Sequence, residues 1–183
     1  MSAPFALSEI WDKLGRLSDS APGPDGIRYS NLKSKHPGAH LLAALFNMVL
    51  SLERVPHSWK NTRVVLVHKE GDLQNISNWH PISLLNTMGK VFFSVLAARL
   101  SSWATINDHL SPFQMGFREN EGCVEHNFLL DQVIVEVKHS RSDLALAWLD
   151  LENAFGSIPH SFILKSLHVV GVPSSISNIT SLF

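Results

Sequence analysis

A mixed α/β (α+β) layered fold is predicted by two patterns that interleave along this chain. Apolar residues recur at helical spacing over residues 40–52, 87–104 and 124–139. Two short apolar runs, 62–68 and 144–150, have strand length, and the first is rich in β-branched residues. Helices alternating with strands bury their apolar faces by layering against one another. The chain carries no internal repeat and no low-complexity tract.

The elements follow in order. Leu7, Ile10, Trp11, Leu14 and Leu17 lie on one helical face, with Ser8 expected as the N-cap. Ser18-Asp-Ser-Ala-Pro-Gly-Pro-Asp-Gly26 must be loop, because two prolines and two glycines fall within five residues. The helix over 40–52 uses Leu41, Leu42, Leu45, Phe46, Val49 and Leu50, and Pro56 ends it. Thr62–His68 is expected as a strand, followed by a polar loop with Gly71-Asp72 and an extended piece from Pro81 to Leu85. Val91, Phe92, Val95, Leu96, Leu100 and Trp103 mark the helix over 87–104, and residues 105–121 are irregular around Pro112 and Gly116. A helix from about 124 to 139, a strand at 144–150 and a helix from about 160 to 170 complete the pattern. Gly171 is expected to close that last helix, and Pro173 to open a further one.

Composition narrows the class. The 183 residues are 45% hydrophobic and 17% charged, which supplies a core and excludes disorder by composition. A single cysteine, Cys123, has no disulfide partner within the chain and points to a reducing compartment. No signal peptide is read at residues 1–20, and no uncharged apolar run reaches the ~18 residues of a membrane span. A soluble intracellular protein is expected, with nucleus and cytoplasm not distinguished. The net charge of −1 hides an asymmetry: residues 1–100 carry +4 and residues 101–183 carry −5. A basic half suits phosphates and an acidic half suits cations, although chance produces the same split in a neutral protein.

Few residues offer chemistry by position. Asp150 ends an apolar run, where a rigidly held carboxylate suits Mg²⁺ or equally caps the helix that follows. Lys69 ends the other run and presents a point charge suited to a phosphate, or simply a solvated lysine beside Glu70 and Asp72. Phe155 serves either as a ligand-facing wall or as core. The ten histidines do not cluster at metal-ligand spacing, and no phosphate-binding glycine loop or nucleophile elbow is present.

Six blocks in order resemble the reverse transcriptases of non-LTR (LINE-type) retrotransposons. They are Ala21-Pro-Gly-Pro-Asp-Gly-Ile27; Val55-Pro-His-Ser-Trp-Lys60; Val64-Val-Leu-Val-His-Lys-Glu-Gly-Asp72; Asn78-Trp-His-Pro-Ile-Ser-Leu-Leu-Asn86; Gln114-Met-Gly-Phe-Arg118; and Ala147-Trp-Leu-Asp-Leu-Glu-Asn-Ala-Phe155. The resemblance implies an N-terminal fragment of a right-hand polymerase: a helical region at 1–60 leading into the fingers, then a partial reverse transcriptase domain at 61–183 with fingers and an incomplete palm.

The resemblance also implies roles. Asp150 would be the first metal-binding and catalytic aspartate, with the main-chain carbonyl of Leu151 as a second ligand. Lys69 and His80 would meet the nucleotide phosphates from the fingers, Asn153 and Ala154 would line the triphosphate, and Phe155 would crowd a ribose 2′-hydroxyl. The implied chemistry is two-metal phosphoryl transfer with Mg²⁺, using an RNA template, a DNA primer and dNTP. His80 stands where the family usually carries Arg, His68 where it carries Pro, and Gly156 where many relatives carry Asp. The family's second catalytic block, an Asp-Asp hairpin, is expected after residue 183, so this segment alone is not expected to polymerise. The alternative is a catalytically dead, truncated or domesticated remnant with at most RNA binding.

Overall fold

A computed structural model describes residues 1–35, 40–118, 122–151 and 154–181. It divides into two compact units, Met1–Leu100 with Leu164–Phe183, and Ser101–Ile163. The fold is mixed α/β, as the periodicity predicts, with a two-stranded antiparallel sheet among mostly helical residues.

In the first unit, α1 (Leu7–Arg16) begins two residues earlier than expected. Ala6 is the N-cap instead of Ser8, and its N–H donates to Glu9 Oε2 at 3.4 Å. The reason lies just upstream: Phe5 at N′ and Ile10 at N4 are both buried, the two positions of a hydrophobic staple, and this pair fixes where the helix starts. Lys33 Nζ, from α2 (Tyr29–Lys35), donates to the Gly15 and Leu17 carbonyls and closes the far end of α1. Neither α2 nor the single turn α4 (His57–Lys60) is long enough to show a period, yet each delivers buried side chains: Tyr29 and Leu32, and Trp59.

The apolar faces of α3 (His40–Leu52) and α5 (Thr87–Ile106) supply Leu42, Phe46 and Val49, and Val91, Phe92, Val95 and Leu96. Phe92 is fully buried at the centre of an aromatic cluster. Its ring centroid lies 5.8 Å from Phe5, 5.4 Å from Phe46, 5.4 Å from Trp59 and 5.1 Å from Phe93. Gly89 sits one turn earlier on α5, where a Cβ would come within 3.3 Å of the Trp59 side chain.

Arg99, near the far end of α5, holds the N-terminal segment. Its Nε and Nη2 form a two-pronged ion pair with Glu9 at 2.5 and 2.7 Å. The same guanidinium donates to the Met1, Ala3 and Pro4 carbonyls and lies 4.1 Å from the Phe5 ring centroid. Asn47 completes the anchorage: its amide oxygen accepts from the Phe5 N–H at 2.6 Å and its Nδ2 donates to the Phe5 carbonyl at 3.2 Å.

Strand β1 (Thr62–His68) matches its predicted span, and β2 (Trp79–Leu85) begins two residues before the expected Pro81. The register runs from Thr62 opposite Leu85 to His68 opposite Trp79. Pro81 is tolerated because each strand of a two-stranded sheet has a free edge that needs no N–H. Both faces of the hairpin are largely exposed, including Val64, Val65, Leu66, Val67 and Ile82.

The first unit is closed by the end of α8 (His160–Val169) and by α9 (Ser174–Thr180), which contributes Ile176 and Ile179 to the core. Gly171 takes the left-handed conformation expected of it, at φ +84°, and the Val172 N–H returns to the Leu167 carbonyl.

The second unit has α6 (Cys123–Ser140), ended by Arg141 in the left-handed region at φ +53°, and the short turn α7 (Ala154–Ser157). Among its described residues none is buried. Residues 144–150, expected as a strand, are not one. A strand exists only where a neighbour completes its hydrogen bonds, and no described residue pairs with this run. Trp148 and Leu149 are therefore exposed, Leu149 at 97%.

Candidate functional site

The hairpin positions two of the expected site residues. Beyond the end of β1 the ladder continues for one residue, with the Lys69 N–H donating to the Asn78 carbonyl at 2.8 Å. His80 stands opposite Val67. Residues facing each other in an antiparallel pair share a face, so Lys69 and His80 are diagonal neighbours on the same side of the sheet. Both are exposed. Arg63 lies on that side too, because positions 63, 65, 67 and 69 alternate with the opposite face; the period-2 pattern contained this signal, although Arg63 was not among the expected site residues.

The turn that presents Lys69 is built from its own side chains. Gly71 adopts φ +82°, and a Cβ there would come within 2.7 Å of Asn78 Nδ2. That amide donates to the Asp72 carbonyl, and Asp72 Oδ1 accepts from the Gln74 N–H. Trp79 Nε1 donates to the Leu73 carbonyl, while its ring meets His68 edge-on at 5.1 Å on the other face. The loop is thus braced at both ends, and Lys69 leaves it with its charge in solvent.

The second unit holds Asp150 and Leu151, both exposed. Asp150 Oδ1 accepts from the Leu151 N–H at 3.0 Å. Asn153 lies outside the described residues. Ala154 and Phe155 are the first two residues of α7, and their side chains also lie outside the description. Hard carboxylate oxygens facing solvent are suitable donors for Mg²⁺. One carboxylate is not a site, however: among the described residues no three His, Cys, Asp or Glu side chains come together.

The loop Ala21–Ile27 is the part of the pattern whose partner the sequence did not reveal. Asp25 Oδ1 accepts from the Ile27 N–H, and Asp25 Oδ2 accepts from the N–H of Thr87 at 3.2 Å, at the start of α5. Thr87 Oγ1 donates back to the Ile27 carbonyl, and Lys90 Nζ donates to the Ala21 carbonyl. Next to the loop, hydrogen bonds from Ser30 hold the Asp19 carboxyl below its ordinary value, and burial pushes the Tyr29 hydroxyl up.

Gly23 packs directly on the Leu85–Asn86 backbone, where a Cβ would overlap the Leu85 carbonyl and reach within 2.7 Å of Asn86 N. Gly23→Ala is expected to destabilise by about 1–3 kcal/mol, because backbone on both sides must move. Gly15→Ala, in α1 with open space around it, should instead stabilise by up to about 1 kcal/mol. Urea midpoints of the two variants check this pair, and a neutral Gly23→Ala would refute the close approach.

A sequence-family model described as reverse transcriptase (RNA-dependent DNA polymerase) matches residues 67–183. The chain belongs to this family, in the form carried by non-LTR retrotransposons. It is 31% identical over 180 residues to a Pol polyprotein from the type-1 retrotransposable element R2 of Popillia japonica, covering 96% of this chain and 24% of that protein. It is 32% identical over 177 residues to the polyprotein of the type-2 element R2DM of Drosophila melanogaster, covering 92% and 16%. The RNA-directed DNA polymerase from the mobile element jockey of Drosophila melanogaster is 27% identical over 170 residues, covering 90% and 19%. The chain thus spans a quarter or less of these relatives. Among the described residues no helix is long and apolar enough to cross a membrane.

Proposed function

We propose that this chain forms the fingers and the beginning of the palm of an RNA-directed DNA polymerase that copies an RNA template from a DNA primer with dNTP. The observation that supports this reading most is the hairpin face shared by Lys69 and His80, which lies within the blocks that resemble the family's fingers. An exposed ammonium beside an imidazole offers a phosphate charge and directed donors without the cost of desolvating a buried cation. Asn153 and Ala154 would lie along the triphosphate, and Phe155 would select deoxynucleotides by crowding a 2′-hydroxyl. Asp150 and the Leu151 carbonyl would act as metal ligands together with carboxylates outside the described residues. Magnesium, when bound, would neutralise charge during phosphoryl transfer.

In the longer protein that carries this segment, Asp150→Ala is expected to reduce primer extension on an RNA template to background. Its melting temperature should stay unchanged, because Asp150 is exposed. Extension that survives the substitution would overturn the assignment. His80 favours a second reading, a remnant that binds RNA without polymerising, since an imidazole cannot grip a triphosphate with the two-pronged fork of arginine. Salt-sensitive RNA binding with no extension before or after the substitution would support that reading.

A further inference from the structure

The β1–β2 hairpin has both faces largely in solvent, and a two-stranded hairpin of this kind is marginally stable without support. Its support is concentrated at its base. There β2 runs into α5 through Asn86 and Thr87, both buried. Asn86 Nδ2 donates to the Ser58 carbonyl at 2.7 Å, which ties the junction to the turn preceding β1. On the other side the Ala21–Ile27 loop holds the junction through Asp25, Thr87 and Lys90, and through the bare backbone of Gly23. Asp25 occupies the central place, since its two carboxylate oxygens do different work. Oδ1 shapes the loop by accepting from Ile27, and Oδ2 caps the first turn of α5 from a segment 62 residues away in sequence.

We propose that the Ala21–Ile27 loop is a latch that sets the angle of the hairpin arm, with Asp25 as its positioning residue. The arm is long relative to its base. Seven residues of strand span about 23 Å, so a rotation of about 10° at the junction moves the far end by about 4 Å. That displacement exceeds the length of a hydrogen bond, and Lys69 and His80 sit at the end that moves. The latch is a property of the fold and holds whatever reaction the arm serves. In the absence of the carboxylate the Thr87 N–H loses its cap, the loop loses its turn, and the arm becomes free to hinge.

Paired spin labels test this on the full 183-residue chain. Cysteines at Asp72, in the loop at the far end of the arm, and at Met48, on the exposed face of α3, carry the labels; Cys123→Ser removes the native thiol. The parent protein should give one narrow distance distribution. Asp25→Ala should broaden it about twofold, as expected for a hinge released from one orientation. Asp25→Asn retains a single acceptor oxygen and so keeps only one of the two bonds, giving intermediate broadening; it carries the test if Asp25→Ala does not fold. Asn31→Ala removes the acceptor for the Arg28 N–H in the same neighbourhood without touching the junction, and should leave the distribution narrow. An unchanged distribution in both Asp25 variants overturns the proposal. Equal broadening in Asn31→Ala overturns it as well, since that would be general loosening of the region.

Discussion

Phe92→Ala is expected to destabilise the unit formed by residues 1–100 and 164–181 by about 3–5 kcal/mol, the cost of removing a fully buried phenyl ring from a core that cannot collapse around the gap. The size follows from its surroundings. Four aromatic rings from the N-terminal segment, α3, α4 and α5 converge on it, so truncation removes three edge-to-face contacts and one tilted contact at once. Rings held at large angles to one another leave an irregular void, and each is fixed by further neighbours. Phe92→Leu keeps much of the volume and should cost less than half as much. Denaturant unfolding followed by tryptophan fluorescence reads both values, because Trp59 borders the site. A loss below about 1 kcal/mol in Phe92→Ala would mean that the cluster is not the core's centre.

Arg99→Ala is the second large effect, about 2–3 kcal/mol, below the 3–5 kcal/mol of a fully buried pair because both partners keep some solvent contact. Truncation leaves Glu9 unpaired and strips donors from the Met1, Ala3 and Pro4 carbonyls. It also uncovers one face of Phe5, which then transmits the loss to Phe92. Arg99→Lys retains the charge and loses the fork, so it should recover less than half of the stability. Faster amide exchange at Phe5, whose N–H is bonded to Asn47, reports release of the segment. A lysine variant as stable as the parent would show that charge alone, and not the planar geometry, holds the N-terminus.

Much of the architecture was legible in the sequence where one face of an element is buried. The spans of α3 and α5 follow from apolar periodicity because burial selects that periodicity, whereas α6, α8 and β1 match their predicted spans without a buried side chain of their own. The short helices α2 and α4 were not legible, since seven and four residues contain too few turns to show a period. The start of α1 was misplaced at Ser8 because a local capping preference of about 1 kcal/mol competes with the burial of Phe5 and Ile10, a tertiary term. The run 144–150 had strand composition but no partner among the described residues, and pairing is what makes a strand.

For the candidate site, pattern and ladder carried different parts. Position and resemblance both picked out Lys69, the resemblance alone picked out His80, and alternation placed them on one face once the register was known. The grip of Asp25 on Thr87 spans 62 residues of sequence and could not be read from either segment alone.

The discontinuity of the first unit has a consequence during synthesis. Its core needs Val172, Ile176 and Ile179, which leave the ribosome only after the 63 residues of the second unit have been made. At translation rates of about 5–20 residues per second, the Phe46 and Phe92 cluster waits on the order of 4–16 seconds for its last covering helix. During that interval the nascent chain displays an apolar seat shaped for α9 and still vacant. Slow elongation lengthens this exposure and fast elongation shortens it, so the yield of soluble protein should respond to codon choice between residues 101 and 181.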